Sequence, residues 1–204
     1  MKPVAIAALV ALTACGSACA ADLEVHVNRG GATDPLPSVV YAIPQAGHFT
    51  PHAGATAIVD QINKQFAAQV SVVETGTAVS FPNKDNIRHH VYSFSSAKPF
   101  ELKLYSGKPS NPVVFDRPGV VTLGCNIHDQ MLGYVLVVDT SWHAVADAHG
   151  MAVLQGLPAG DYLVHAWSPG IHQGEHPVQK VHVGGDSAPI ARVEIPPVAA
   201  GAPG

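Results

Sequence analysis

Eight residues constrain this chain more than any other stretch: Gly124-Cys125-Asn126-Ile127-His128-Asp129-Gln130-Met131, set between two apolar alternating runs. A thiolate, an imidazole and a thioether fall within seven consecutive residues. These are soft and borderline donors, and Cys, His and a weakly held Met suit copper better than magnesium, calcium or structural zinc. One short loop cannot wrap an ion on every side, so a fourth donor has to arrive from another strand. The candidates are His89 and His90, which open a strand-like run just after a loop. Alternation along a strand lets only one of the two face the loop.

The N-terminus bears on the thiol. Met1-Lys2 is a positive start, Pro3 to Leu12 is apolar and uncharged, and Ala18-Cys19-Ala20 is a small-residue cleavage pattern, so 1–20 reads as an export signal. The apolar run is too short to span a bilayer. A competing reading takes Leu12-Thr13-Ala14-Cys15 as a lipoprotein processing box, with a lipid anchor at Cys15. Both readings place the protein in the periplasm or an equivalent space. Cleavage after Ala20 leaves Cys125 as the one thiol, which excludes a disulfide framework and makes that residue a liability unless it is buried or engaged. Eleven basic against fifteen acidic residues, with no basic patch, argue against nucleic acid or an anionic membrane as partner.

Short alternating runs predict an all-β chain. Leu23–Val27, Val39–Ile43, Val70–Val73, Thr77–Phe81, His89–Phe94, Phe100–Leu104, Gly119–Leu123 and Gly133–Val138 read as strands separated by turns. Residues 44–56 read as a long connection, and Lys108 to Pro118, with three prolines, as loop. Residues 57–66 are ambiguous, because Ile58, Ile62 and Phe66 have helical spacing amid strand-like surroundings. Beyond Asp139 come an Asp147-Ala148-His149-Gly150 turn, a strand ending at Trp167, and two short runs at Val178–Val183 and Ile190–Ile195.

Asn83-Lys84-Asp85 through His89-His90-Val91, taken with Cys125-x2-His128-x2-Met131, resembles the cupredoxins, the small blue copper proteins, with the ligand spacing of amicyanin and a plastocyanin-like start. The resemblance covers roughly residues 57–139. It implies a Greek-key β-sandwich, an extended rather than helical 57–66, and one type 1 copper held by His89, Cys125, His128 and Met131. His90 and Asn126 would lie behind those ligands. Two positions depart from the pattern: His90 stands where an Asn commonly ties the two ligand loops together, and Ile127 stands where a Pro often precedes the second His. The family further implies electron exit through the edge of His128, with Ile127, Leu132 and Gly133 around it as a small apolar docking patch.

The flanking segments, through Asp147-x2-Gly150 and Gly156-Leu157-Pro158-x-Gly160-x-Tyr162, look like transthyretin-like or carboxypeptidase-regulatory-like domains. The expected organisation is a cupredoxin unit at 52–139 inserted in a small sandwich made of 22–48 plus 140–197, with 198–204 as a tail. His48-x3-His52 and His172-x3-His176 sit among Pro and Gly and read as surface loop histidines. No His-x-His pair occurs, which counts against a multicopper oxidase. The expected function is an exported single-electron carrier with no catalytic turnover. Its transient partner would be a cytochrome or dehydrogenase, as resemblance to proteins labelled for methylamine utilisation implies. The alternatives are a copper chaperone or sensor using the same residues, and a structural or partner-binding domain with a vestigial site.

Overall fold

The computed structural model describes residues 20–28, 37–109, 111–169, 171, 176–184 and 189–194. The export-signal and Cys15 readings (save Ala20), His172 and the tail lie outside the described residues. The described residues contain no helix, and hence none long and apolar enough to cross a membrane.

The strands run in chain order as β1 (Ala21–Asn28), β2 (Val39–Pro44), β3 (Thr56–Ile58), β4 (Gln61–Ile62), β5 (Gln65–Phe66), β6 (Val70–Glu74), β7 (Thr77–Ser80), β8 (His89–Ser93) and β9 (Phe100–Tyr105). They continue as β10 (Val113–Phe115), β11 (Gly119–Cys125), β12 (Gly133–Val138), β13 (His143–Val145), β14 (Met151–Leu157), β15 (Gly160–Trp167), β16 (Val178–Val183) and β17 (Ile190–Glu194).

Four sheets stack into layers. The first is β10-β7-β3 and the second β6-β12-β11-β8-β9; the third is β13-β2-β15-β16 and the fourth β14-β1-β17. Val79 and Phe115 of the first, with Phe81 just after β7, meet Val91, Val121, Leu123, Val135 and Val137 of the second. Val40, Ala42, Val164 and Ala166 of the third meet Leu23, Val25, Leu154 and Val193 of the fourth. A third core joins the halves: Val39, Tyr41 and Trp167 pack on Val70, Leu136 and Val138. Strands from the two chain ends therefore close one sandwich, strands between 56 and 138 close another, and an apolar seam binds them.

The seam explains a sequence texture. Val39-Val40-Tyr41-Ala42 and Val135-Leu136-Val137-Val138 are buried throughout, without the alternation of a strand that has one wet face. A strand covered on both faces reads as a continuous apolar run. By contrast β14 alternates buried and exposed, because its outer face meets solvent.

One ambiguity resolves as the resemblance implies, and one expectation is corrected. The helical spacing of Ile58, Ile62 and Phe66 is not realised. The segment forms β3 and the β4–β5 hairpin, with Ile58 67% exposed, Ile62 38% and Phe66 5%. Asn63 and Lys64, at φ 57° and 59°, make the two-residue turn, a left-handed pair that suits the twist of a tight hairpin. The 108–118 loop contains β10, three residues paired to β7 between the prolines.

Candidate metal centre

His89 is the first residue of β8, and alternation turns His89, Val91 and Ser93 inward. Cys125 is the last residue of β11, in phase with buried Val121 and Leu123. The antiparallel pairing of these strands sets Cys125 opposite Val91, so the His89 and Cys125 side chains share one face two positions apart. The result is a His89 Nδ1 to Cys125 Sγ separation of 3.7 Å, with His89 0% and Cys125 3% exposed.

His128 reaches the same place from the loop. A Met131 N–H to His128 carbonyl bond of 2.9 Å tightens the turn. The His128 ring centroid lies 5.1 Å from that of His89, and His128 Nδ1 is buried with no hydrogen-bond partner. One donor atom each from His89, Cys125 and His128 falls within 4.8 Å of the others. Nitrogen and sulfur donors set tetrahedrally about 2.0–2.3 Å from one ion lie about 3.3–3.7 Å apart, so the His89–Cys125 pair at 3.7 Å already fits and a separation at the 4.8 Å limit would close by about 1 Å. Met131 is 1% exposed and packs in the same apolar cluster as Cys125. Gly133 follows because space requires it: a Cβ there would stand 2.8 Å from the Phe66 ring.

The His89 ring is aimed by a residue that sequence reasoning quoted only as part of a motif. Asp85 Oδ2 accepts from His89 Nε2 at 2.8 Å. Its oxygens also accept the backbone N–H groups of Asn63 at 2.7 Å and Lys64 at 2.9 Å, presented by the β4–β5 turn. The Lys64 N–H, then the bonds from His89 and Asn63, outweigh desolvation and hold the Asp85 carboxyl below its ordinary range. An ionised carboxylate only accepts, so the His89 proton sits on Nε2 and the Nδ1 lone pair faces Cys125. Asn83 braces the loop, donating to the carbonyls of Ile87 (2.8 Å) and Tyr105 (3.1 Å) and accepting from the Asp85 N–H (2.9 Å). Tyr105, the cross-strand partner of His89, donates to the Phe81 carbonyl at 2.7 Å. Burial, and to a lesser degree the charge of Cys125, push its hydroxyl up to about 12 against a lowering bond with Gln61, so that wall stays neutral.

His90 points away from the donors. Its Nδ1 accepts from Asn126 Nδ2 at 3.1 Å, and the Asn126 N–H bonds the His90 carbonyl at 3.3 Å, so His90 and Asn126 tie β8 to the Cys loop. His90 Nε2 lies 2.9 Å from Glu101 Oε1 without hydrogen-bond alignment. Around His128, Ile127 and Leu132 are exposed whereas Gly133 is buried, which removes Gly133 from the expected apolar patch. The expected surface histidines divide. His52 is exposed, with Nδ1 2.6 Å from Glu74 Oε2. His176 instead packs inward, its Nδ1 2.9 Å from the Tyr41 hydroxyl.

No family model and no curated protein matches the sequence. Among solved structures, the chain is similar to the Cu-containing nitrite reductase of Thermus scotoductus, at 22% identity over 47% of this chain and 25% of that one, TM-score 0.39. It is similar to a purple cupredoxin from Nitrosopumilus maritimus at 22% identity, covering 41% of this chain and 99% of that one, TM-score 0.35. An amicyanin variant in its Cu(I) form matches at 17% identity, over 48% of this chain and 99% of that one, TM-score 0.36. The neighbours are cupredoxins or contain copper, and the chain spans about a quarter of the reductase.

Proposed function

We propose that this protein is a single-electron carrier with one copper held by His89, Cys125, His128 and Met131, within a unit spanning 52–139 that is inserted in a sandwich of 22–48 and 140–197. The observation that carries the reading is the convergence of two imidazoles and a thiol within 4.8 Å, with the His128 Nδ1 buried and unpartnered. That donor chemistry fits copper: thiolate and imidazole as strong ligands, a thioether as a weak one. When bound, such an ion supplies a one-electron couple. The protein's own residues supply constancy of position. Asp85 fixes the tautomer and direction of His89, the His90–Asn126 bond holds the Cys loop against β8, and the surrounding core excludes water.

Burial also separates this reading from the copper-chaperone alternative. A protein that hands over its metal must offer ligands to a partner, yet here His89 and Cys125 are closed off and only His128 stands half-buried among exposed Ile127 and Leu132. That edge is where a transient redox partner, a cytochrome or dehydrogenase, would dock, in the periplasm if the N-terminus acts as an export signal. Film voltammetry on the copper-loaded protein tests the reading. A reversible one-electron wave, absent in Cys125→Ser, is expected. No wave, with rapid loss of copper to a competing chelator, would favour the chaperone.

A further inference from the structure

The seam face of the third sheet carries a row of rings unrelated to the Cys loop. His143 and His165 are the direct cross-strand partners of Tyr41, one on each side. Alternation turns Tyr41 and His165 to the same face as Val39 and Trp167, toward the seam. His165 lies flat on the Tyr41 ring, with centroids 4.8 Å apart and planes 5° from parallel. His176 comes from the segment leading into β16 and meets the same ring edge-on, its Nδ1 2.9 Å from the hydroxyl.

The Nε2 atoms of both His165 and His176 are buried and have no hydrogen-bond partner. Each such orphan is a cost that calls for a partner, an ion or a water, and both rings lie against one tyrosine. We propose that His165 and His176 bind a second metal ion of the borderline class, zinc or copper, through their Nε2 atoms, clipping β15 to the segment that enters β16.

Three features equip the pair to hold an ion. Imidazole is the donor that zinc and copper both accept. Burial holds both imidazoles below the ordinary histidine range, with His176 lowering His165 further, so at neutral pH each ring is uncharged and keeps one nitrogen lone pair. Burial also pushes the Tyr41 hydroxyl up to about 12, so its oxygen stays protonated and can accept the His176 Nδ1–H, freeing Nε2. A metal-bound histidine is commonly held this way through its other nitrogen, as Asp85 holds His89.

The test uses the full chain carrying Cys125→Ser and His128→Ala, so the first site is silent, titrated with Zn(II) alone and with Cu(II) alone in equilibrium dialysis. One equivalent is expected to disappear with His165→Gln or His176→Gln and to persist with His52→Gln. Tyr41→Phe should weaken binding several-fold without abolishing it. Cu(II) should quench the fluorescence of Trp167, two residues from His165 on the same face, and the quenching should vanish in Trp167→Phe. Equal stoichiometry in all variants, or no quenching in the parent, overturns the proposal and leaves a buried water as the explanation. Near-ultraviolet circular dichroism checks that each variant folds. The fate of the Cys125 site is read separately, from the chain with that site intact.

Discussion

Asp85→Ala separates the aiming of the site from the donors themselves. The substitution removes three acceptor contacts: from the Asn63 N–H at 2.7 Å, the Lys64 N–H at 2.9 Å and His89 Nε2 at 2.8 Å. The two backbone donors lie on an exposed turn, where water replaces the carboxylate at little cost. His89 is fully buried, so its Nε2–H is left unpaired, at about 1–3 kcal/mol. At roughly 2–4 °C per kcal/mol for a chain of this size, the metal-free protein should melt about 2–12 °C lower. Copper affinity should fall about 10–100-fold, because the ring is free to present either nitrogen. Asp85→Asn should fall between: its carbonyl oxygen can keep His89 and Lys64, while its NH2 opposes the Asn63 N–H. Competition against a chelator of known affinity, with calorimetry on the metal-free variants, gives both numbers. Unchanged copper affinity in Asp85→Ala refutes the view that this carboxylate aims the ligand.

Trp167→Ala should cost about 3–5 kcal/mol, as loss of a buried aromatic does, because the indole fills the seam and meets Tyr134 edge-on at 5.8 Å; chemical denaturation checks this. Burial, opposed by Glu74, lowers the His143 pKa, so the folded state favours the neutral ring. Its share of stability is therefore complete above about pH 6.5 and is lost as pH falls from there through the lowered folded value. His143→Gln should flatten the denaturation midpoint between pH 7.5 and 5.5. Residues 52–139 expressed alone should bind copper but self-associate through uncovered Val70, Leu136 and Val138. A monodisperse fragment would contradict the apolar seam, and a fragment that folds without binding copper would contradict the two-unit reading.

What the sequence made legible was whatever depends on local periodicity. Inward His89 and Cys125 follow from two-residue alternation in β8 and β11, and the all-β character follows from turns between short alternating runs. What it hid depends on long-range contact. Asp85 gains its role only because a hairpin turn some twenty residues upstream offers two N–H groups, and nothing in the spacing of Asn63 and Lys64 announces that. Inward-facing His176 looked like a surface residue because its neighbours are Pro and Gly, yet a tyrosine 135 positions earlier decides its burial. The runs in β2 and β12 showed strands without showing that both faces are covered, and proline masked β10. The departure at His90 turned out to have a physical partner, since it takes up Asn126 across the two loops.

The central claim is that His89, Cys125, His128 and Met131 form one copper site in which the thiolate is a ligand. Visible absorption of the purified protein during titration with Cu(II) tests it most directly. The account predicts an intense blue or green thiolate charge-transfer band that saturates at one equivalent, bleaches with reductant, returns with oxidant and is absent in Cys125→Ser. A pale solution with only weak bands, or an intense band that survives Cys125→Ser, would contradict it.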